Sequence, residues 1–243
     1  MTGPAYDEIA GWYDEWVGKG PLLDDPIFAE VAPLLGEVAG MRICDLACGQ
    51  GRVARYLADR GARVLGVDVS GKLLDMARRH EEAEPRGVAY LQADAQSLPA
   101  IADGVFDGVV CHMALMDIPE LAPTIRTVSR LLRPAGWFVF SILHPCYNTS
   151  KSGEIAGPAG AVRRVVGGYF AEGFWRSDIR PGPPGKVGAY HRTLSTYVNS
   201  LVETGLVIER IAEPPASGSY AERRPIWREV PGILIARCCT QPE

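Results

Sequence analysis

The chain is short of positive charge. Its 25 lysines and arginines face 29 acids, for a net charge of −4 and a pI near 5.7. No basic stripe stands out, so nucleic acid is not an expected partner. Long apolar runs are also missing: no stretch of about 18 such residues occurs, and no membrane span is expected. The six cysteines (Cys44, Cys48, Cys111, Cys146, Cys238 and Cys239) follow neither a zinc spacing nor a disulfide framework, so no metal is expected. The opening Met-Thr-Gly-Pro-Ala-Tyr-Asp lacks the charged start and apolar stretch of a secretory signal. A reducing cytoplasm is therefore the expected compartment. Lysine is rare, 4 against 21 arginines, a skew that fits genomic base composition better than chemistry.

What remains is an ordinary globular composition, 47% hydrophobic and 22% charged. At 243 residues the chain can bury a large core as one α/β domain with elaborations. The first 40 residues look helical. Asp25-Pro26 reads as an N-cap followed by proline at the first helical position, with Ile27, Phe28, Val31, Leu34, Leu35 and Val38 on one face. From Met41 strands and helices alternate. Strands are expected at 41–46, 63–67, 88–92, 106–111 and 137–143, and helices at 51–59, 70–81 and 118–132. That alternation predicts a doubly wound, mostly parallel sheet. The pattern breaks over 145–190, which is dense in Gly and Pro but carries Tyr169 and Trp175 among other aromatics. Such a loop is expected to be functional, because disordered linkers are poor in aromatics. A helix over 193–204 and strands over 206–211 and 233–238 close the chain.

The chemistry concentrates where the first two strands end. Ile43-Cys-Asp-Leu-Ala-Cys-Gly-Gln-Gly-Arg52 runs from an apolar strand through an acid, Asp45, into a turn with Gly49 and Gly51. Glycine lets backbone approach a ligand closely, and the following helix start favours an anion. The second strand ends at Asp68, where a carboxylate can accept from both hydroxyls of a ribose. Asp94 follows the third strand, where it can accept from an adenine amino group. Each feature alone could be a plain turn or a cap. Their order at consecutive strand ends favours a nucleoside site.

These stretches resemble the class I S-adenosylmethionine-dependent methyltransferases, in a small-molecule branch. Asp-Leu-Ala-Cys-Gly-Gln-Gly is similar to that family's motif I, with Ala47 where glycine is frequent. Asp68 with Val69 matches the ribose-binding acid, and Asp94-Ala95 the adenine-contacting pair. The fourth strand, ending at His112-Met113, matches a wall of the cofactor pocket. Tyr6 and Tyr13 match a lid segment that closes over cofactor and acceptor. The resemblance implies a Rossmann-like, seven-stranded sheet with a helical lid over 1–40, a cofactor core over 41–144, a substrate-side insertion over 145–190 and a closing helix and hairpin over 191–243. It implies S-adenosylmethionine as cofactor and a small organic acceptor, aromatic or heteroaromatic to suit the insertion's aromatics, in secondary metabolism. A homodimer is a common state of such members. The acceptor atom (O, N or C) stays open.

Two alternatives stand beside this. A nicotinamide-dependent oxidoreductase also uses a glycine turn and a ribose acid, but its fingerprint wants a third glycine where Ala54 stands. A non-catalytic scaffold would keep the cofactor and lose the acceptor pocket. For catalysis His144, directly after the fifth strand, is the first candidate base. Tyr13, Tyr169, Trp175 and His191 are the candidate acceptor contacts. Asp117, three residues before Glu120, reads as part of a capping box.

Overall fold

The computed structural model describes residues 4–18, 20–158, 161–177 and 182–241. The chain begins with helix α1 (Ala10–Val17) and α2 (Pro26–Leu35), then alternates β1 (Arg42–Leu46), α3 (Arg52–Ala58), β2 (Arg63–Asp68), α4 (Gly71–Ala83), β3 (Ala89–Gln92), β4 (Phe106–His112), α5 (Leu121–Leu131) and β5 (Leu132–Leu143). Two hairpin pairs follow, β6 (Gly153–Ala156) with β7 (Val162–Val165) and β8 (Gly173–Trp175) with β9 (Ala189–His191). The short α6 (Pro183–Lys186) lies between β8 and β9. The chain closes with α7 (Leu194–Glu203), β10 (Val207–Ala212), α8 (Gly218–Arg223) and β11 (Ile233–Cys239). Among the described residues no helix is long and apolar enough to cross a membrane.

The main sheet has seven strands in the order β10-β11-β5-β4-β1-β2-β3. β1 to β5 pair in parallel, and β11 runs antiparallel to both β5 and β10. The sheet separates two apolar layers, as the alternation of side chains along each strand requires. On one face Cys44, Leu46, Val109, Cys111, Phe138 and Phe140 meet Ile125 and Val128 of α5 and Leu201 of α7. On the other Ile43, Val110, Trp137 and Val139 meet Phe28 and Val31 of α2 and Leu57 of α3. Strand order reverses at β1, which lies between β4 and β2. Open α/β sheets bind ligands beyond the carboxyl ends of strands at such a switch point.

Local chemistry fixes the elements near that point. Asp25 caps α2 by accepting from the backbone N–H groups of Ile27 and Phe28, and Ser70 caps α4 by accepting from Leu73 N at 3.2 Å. The helix expected from Ile118 begins at Leu121, because Ile118 precedes Pro119 and is held extended (φ −91°, ψ 126°). The fifth strand starts earlier than expected, since Leu132 already pairs with Phe106.

Candidate active site

A cavity of about 290 Å³ lies over the carboxyl ends of β1, β2 and β4. Asp45, the 47–50 turn, Asp68, Val69, His112 and Met113 form its floor. Tyr6, Tyr13 and Trp16 of the N-terminal segment and Pro183 and Pro184 of the insertion complete its walls.

At the β1–β2 end the backbone is bent tightly. Gly49 (φ +56°) and Ala47 (φ +58°) both occupy the left-handed region. For Ala47 this is an uncommon conformation, which accounts for glycine being frequent at that motif position. Asp68 is buried and pinned: Oδ2 accepts from Gly49 N and Oδ1 from Ser70 N, both at 2.8 Å. A carboxylate has about four acceptor sites, so these bonds do not exhaust it. Burial raises the Asp68 pKa, and the hydrogen bonds from Ser70 and Gly49 oppose the rise. Asp45, 1% exposed, has an Oδ2 with no partner, and burial pushes its pKa up to about 8. Gln50 beside it is buried, with an Nε2 that donates to nothing.

At the β4 end the lining is different. His112 stacks edge-on against Phe28 and shares a 2.8 Å hydrogen bond between Nδ1 and Ser141 Oγ. Burial pushes its pKa down to about 4, so the imidazole is neutral. Asp117 does not cap α5, whose N-cap is Glu120 without a side-chain bond. Its carboxylate lines the cavity instead. Oδ2 accepts from Tyr6 OH at 2.8 Å, and Oδ1 is buried with no partner. Burial pushes the Asp117 pKa up to about 7, with the Tyr6 hydrogen bond and the Arg192 charge acting in the opposite direction. The expected capping role is thus corrected: the Asp-x-x-Glu spacing is present, but Pro119 breaks the turn that a capping box needs.

The N-terminal segment is fastened at three points. Asp7 accepts from Ser70 Oγ (2.5 Å) and Lys72 N (3.1 Å). Tyr6 holds Asp117 across the cavity, and the Arg52 guanidinium donates to Val17 O (2.8 Å) and Gly20 O (3.1 Å). Tyr6 and Tyr13 meet edge to face with centroids 5.1 Å apart. Burial raises the pKa of both phenols, which stay protonated.

Several expected site residues lie elsewhere. Asp94 is exposed and closes its own turn, accepting from Gln96 N (2.9 Å) and Gln96 Nε2 (2.8 Å); neither it nor Ala95 lines the cavity. Gly51 supports the turn from below (φ +82°), where a Cβ would strike Tyr90 OH, and does not reach the cavity. His144, 2% exposed, is outside it as well. Its Nδ1 accepts from Cys146 N (3.2 Å), so Nε2 carries the proton and donates to Glu213 Oε1 (2.5 Å). Burial lowers its pKa while Glu213 raises it. With both nitrogens committed, His144 ties the end of β5 to the loop after β10, away from the cavity. Of the expected acceptor contacts only Tyr13 lines the main cavity. Trp175 and His191 surround a much smaller recess that shares Met116 and Leu143 with it. His191 Nε2 donates to Tyr169 O (2.7 Å), and Tyr169 OH accepts from Leu194 N (2.9 Å). These side chains fasten the insertion to the start of α7.

A switch-point cavity with paired acids defines a nucleoside-binding α/β protein. Comparison with known proteins narrows this. A family model described as a methyltransferase domain matches residues 44–140. A crystal structure of an S-adenosylmethionine dependent methyltransferase from Mesorhizobium loti is 32% identical, with 87% of this chain and 96% of that one aligned at a TM-score of 0.75. The chain belongs to the class I S-adenosylmethionine-dependent methyltransferases, and its cofactor is S-adenosylmethionine. A ubiquinone biosynthesis O-methyltransferase from Alkalilimnicola ehrlichii is 36% identical over 135 residues, 55% of each chain. The chain thus spans about half the length of the curated relatives it matches. A structure of the [4+2]-cyclase SpnF shares the fold at a TM-score of 0.68 with 17% identity, covering 99% of this chain and 95% of that one. The fold by itself therefore does not name the chemistry.

Proposed function

We propose that the protein transfers the methyl group of S-adenosylmethionine to a small aromatic or heteroaromatic acceptor held beneath the N-terminal lid. The observation that carries this reading is a covered cavity with an acidic, turn-bound end and an aromatic, apolar end. Asp68, with acceptor capacity left on its carboxylate, suits the ribose hydroxyls. The bends at Ala47 and Gly49, the unpartnered Asp45 Oδ2 and the unpartnered Gln50 Nε2 suit the polar amino-acid part, which brings both an ammonium and a carboxylate. When bound, the cofactor supplies an activated methyl group on a positively charged sulfur. The chain's own work is to hold the acceptor in line at about 3 Å and to exclude water. Tyr6, Tyr13, Trp16, Pro183 and Pro184 supply that cover.

The lid over 1–40, the core over 41–144, the insertion over 145–190 and the closing segment over 191–243 divide these tasks. The relatives similar to this chain are ubiquinone biosynthesis O-methyltransferases, which supports an oxygen acceptor and gives secondary metabolism no support. The acidic net charge favours a small acceptor over nucleic acid, and a cytoplasmic homodimer fits the same reading. The test is calorimetry with S-adenosylmethionine, followed by transfer of its radiolabelled methyl group to a panel of phenols, catechols and aromatic amines. Cofactor binding with labelled product supports the reading. Binding with no transfer to any panel member, or methylation of tRNA alone, overturns it.

A further inference from the structure

We propose that Asp117 takes the proton from the acceptor's nucleophilic hydroxyl, with Tyr6 and Arg192 as positioning residues, so that the acceptor class is phenols and related acidic hydroxyls. This rests on the methyl-transfer reading above and goes beyond it. Asp117 is a cavity-lining carboxylate fixed through one oxygen and free at the other. Oδ2 of Asp117 is held by Tyr6 OH at 2.8 Å, while Oδ1 is buried without a partner. The loop carrying it is clamped from behind. The buried guanidinium of Arg192 donates to Leu115 O (2.9 Å), Ile118 O (2.6 Å) and Pro119 O (2.6 Å), so the backbone on either side of Asp117 is held by one cation.

Its position fits. Asp117 follows β4 and Asp68 ends β2, with β1 and its glycine turn between them. Two strand spacings of about 4.8 Å separate β2, which ends in the ribose acid, from β4, which leads to this carboxylate. The other cavity-lining groups are occupied or wrongly poised. Asp25 accepts from Ile27 and Phe28, Asp68 is taken by the ribose hydroxyls in the reading above, and His112 is tied to Ser141. Asp45 sits at the turn end and is protonated at neutral pH. Asp117, with its pKa raised by burial to about 7, is poised where a general base works best. The titratable groups facing it are Tyr6 and Tyr13 from the lid, Asp68 from β2, Cys111 from β4, Arg192 before α7 and Tyr197 within it.

The step balances simply. The acceptor oxygen forms a bond to the methyl carbon as the carbon–sulfur bond breaks, and that bond's electron pair stays on sulfur. The hydroxyl proton passes to Oδ1 of Asp117 and from there to water. An acceptor without a proton to lose would have no use for this carboxylate.

The first readout needs no acceptor. In the full chain bound to S-adenosylhomocysteine and labelled with carboxyl-13C aspartate, the resonance lost in Asp117→Asn should titrate near pH 7; titration in the ordinary carboxylate range overturns the proposal. Affinity for S-adenosylhomocysteine should change less than threefold in Asp117→Asn. A loss of tenfold or more assigns Asp117 to the cofactor and overturns it. On the best phenol of the panel, Asp117→Asn should lower kcat by about 10²-fold or more with KM within threefold, and Asp117→Glu should recover part of it. Tyr6→Phe should move the acid limb of kcat/KM upward, because the lost hydrogen bond favours the ionised carboxyl. Unchanged kcat in Asp117→Asn, or wild-type transfer to amines and to no phenol, overturns the proposal while leaving methyl transfer intact. Failure of the wild type to bind S-adenosylmethionine removes the methyl-transfer reading, and this proposal with it.

Discussion

The two ends of the cavity are built in opposite ways. The β1–β2 end is one stretch of chain folding on itself: Asp45, the 47–50 turn and Asp68 belong to a single strand–turn–helix–strand unit. The β4 end is assembled from distant pieces. Tyr6 meets Asp117 across 111 residues of sequence, and Arg192 reaches Leu115 across 77. Such an arrangement suits division of labour. The local unit can hold the part of the ligand that every family member shares. The long-range assembly can vary with the acceptor without disturbing it, as loops on a fixed scaffold do.

Variants should separate these ends, and the largest effect belongs to the local one. Asp68→Ala removes an ionised acceptor and leaves the Gly49 and Ser70 N–H groups without their partner. It should weaken S-adenosylmethionine binding by about 1.5–3 kcal/mol, roughly 10- to 150-fold by calorimetry. Unchanged affinity would mean that Asp68 only holds the turn. His144→Ala tests a residue belonging to neither end. Cys146 N–H loses its acceptor and Glu213, half exposed, returns to water. Stability should fall by about 1–3 kcal/mol in denaturant unfolding, with kcat changed less than twofold. A large drop in kcat at normal stability would restore His144 as the base.

A pH-dependent effect follows from burial of Asp45. Its pKa is raised to about 8 in the folded chain from an ordinary value of 3.8. The folded state therefore binds the proton more tightly than the unfolded state between those values. Its contribution is full below about pH 4 and is lost as pH rises through about 8. Asp45→Asn stays neutral throughout, so the wild type should lose about 4 kcal/mol of stability relative to it between pH 5 and 8.5, roughly 8–16 °C of melting temperature. A constant difference across that range would mean that Asp45 is ionised when folded.

The same contrast decides what could be read from the sequence. Strand periodicity, the glycine turn, Asp68 and the caps at Asp25 and Ser70 are local patterns, and the seven-stranded sheet follows from them together with the resemblance. Asp117 was legible only as a cap, because its partners Tyr6 and Arg192 lie far away in sequence. Pro119 was the available signal against capping. His144 misled for the reverse reason: its place after β5 is local, whereas the Glu213 that occupies it comes from beyond β10. The insertion's aromatics gave function by composition alone, and composition does not say whether a ring faces a cavity or fastens a loop.

Asp94 gives the smallest expected effect and the sharpest test of that local–distant contrast. It follows β3 in the order that the motif demands, yet its carboxylate is turned onto Gln96 and lies outside the cavity. An exposed carboxylate closing its own turn contributes little to a neighbouring ligand, and surface substitutions of this kind usually stay within about 0.5 kcal/mol. Asp94→Ala should therefore change S-adenosylmethionine affinity less than threefold, against the loss of tenfold or more for Asp68→Ala. A tenfold loss in Asp94→Ala would show that the Gln96 contact yields to the adenine when the cofactor binds. The local unit would then extend to β3, and the motif order would have been the better guide than the ligand-free geometry.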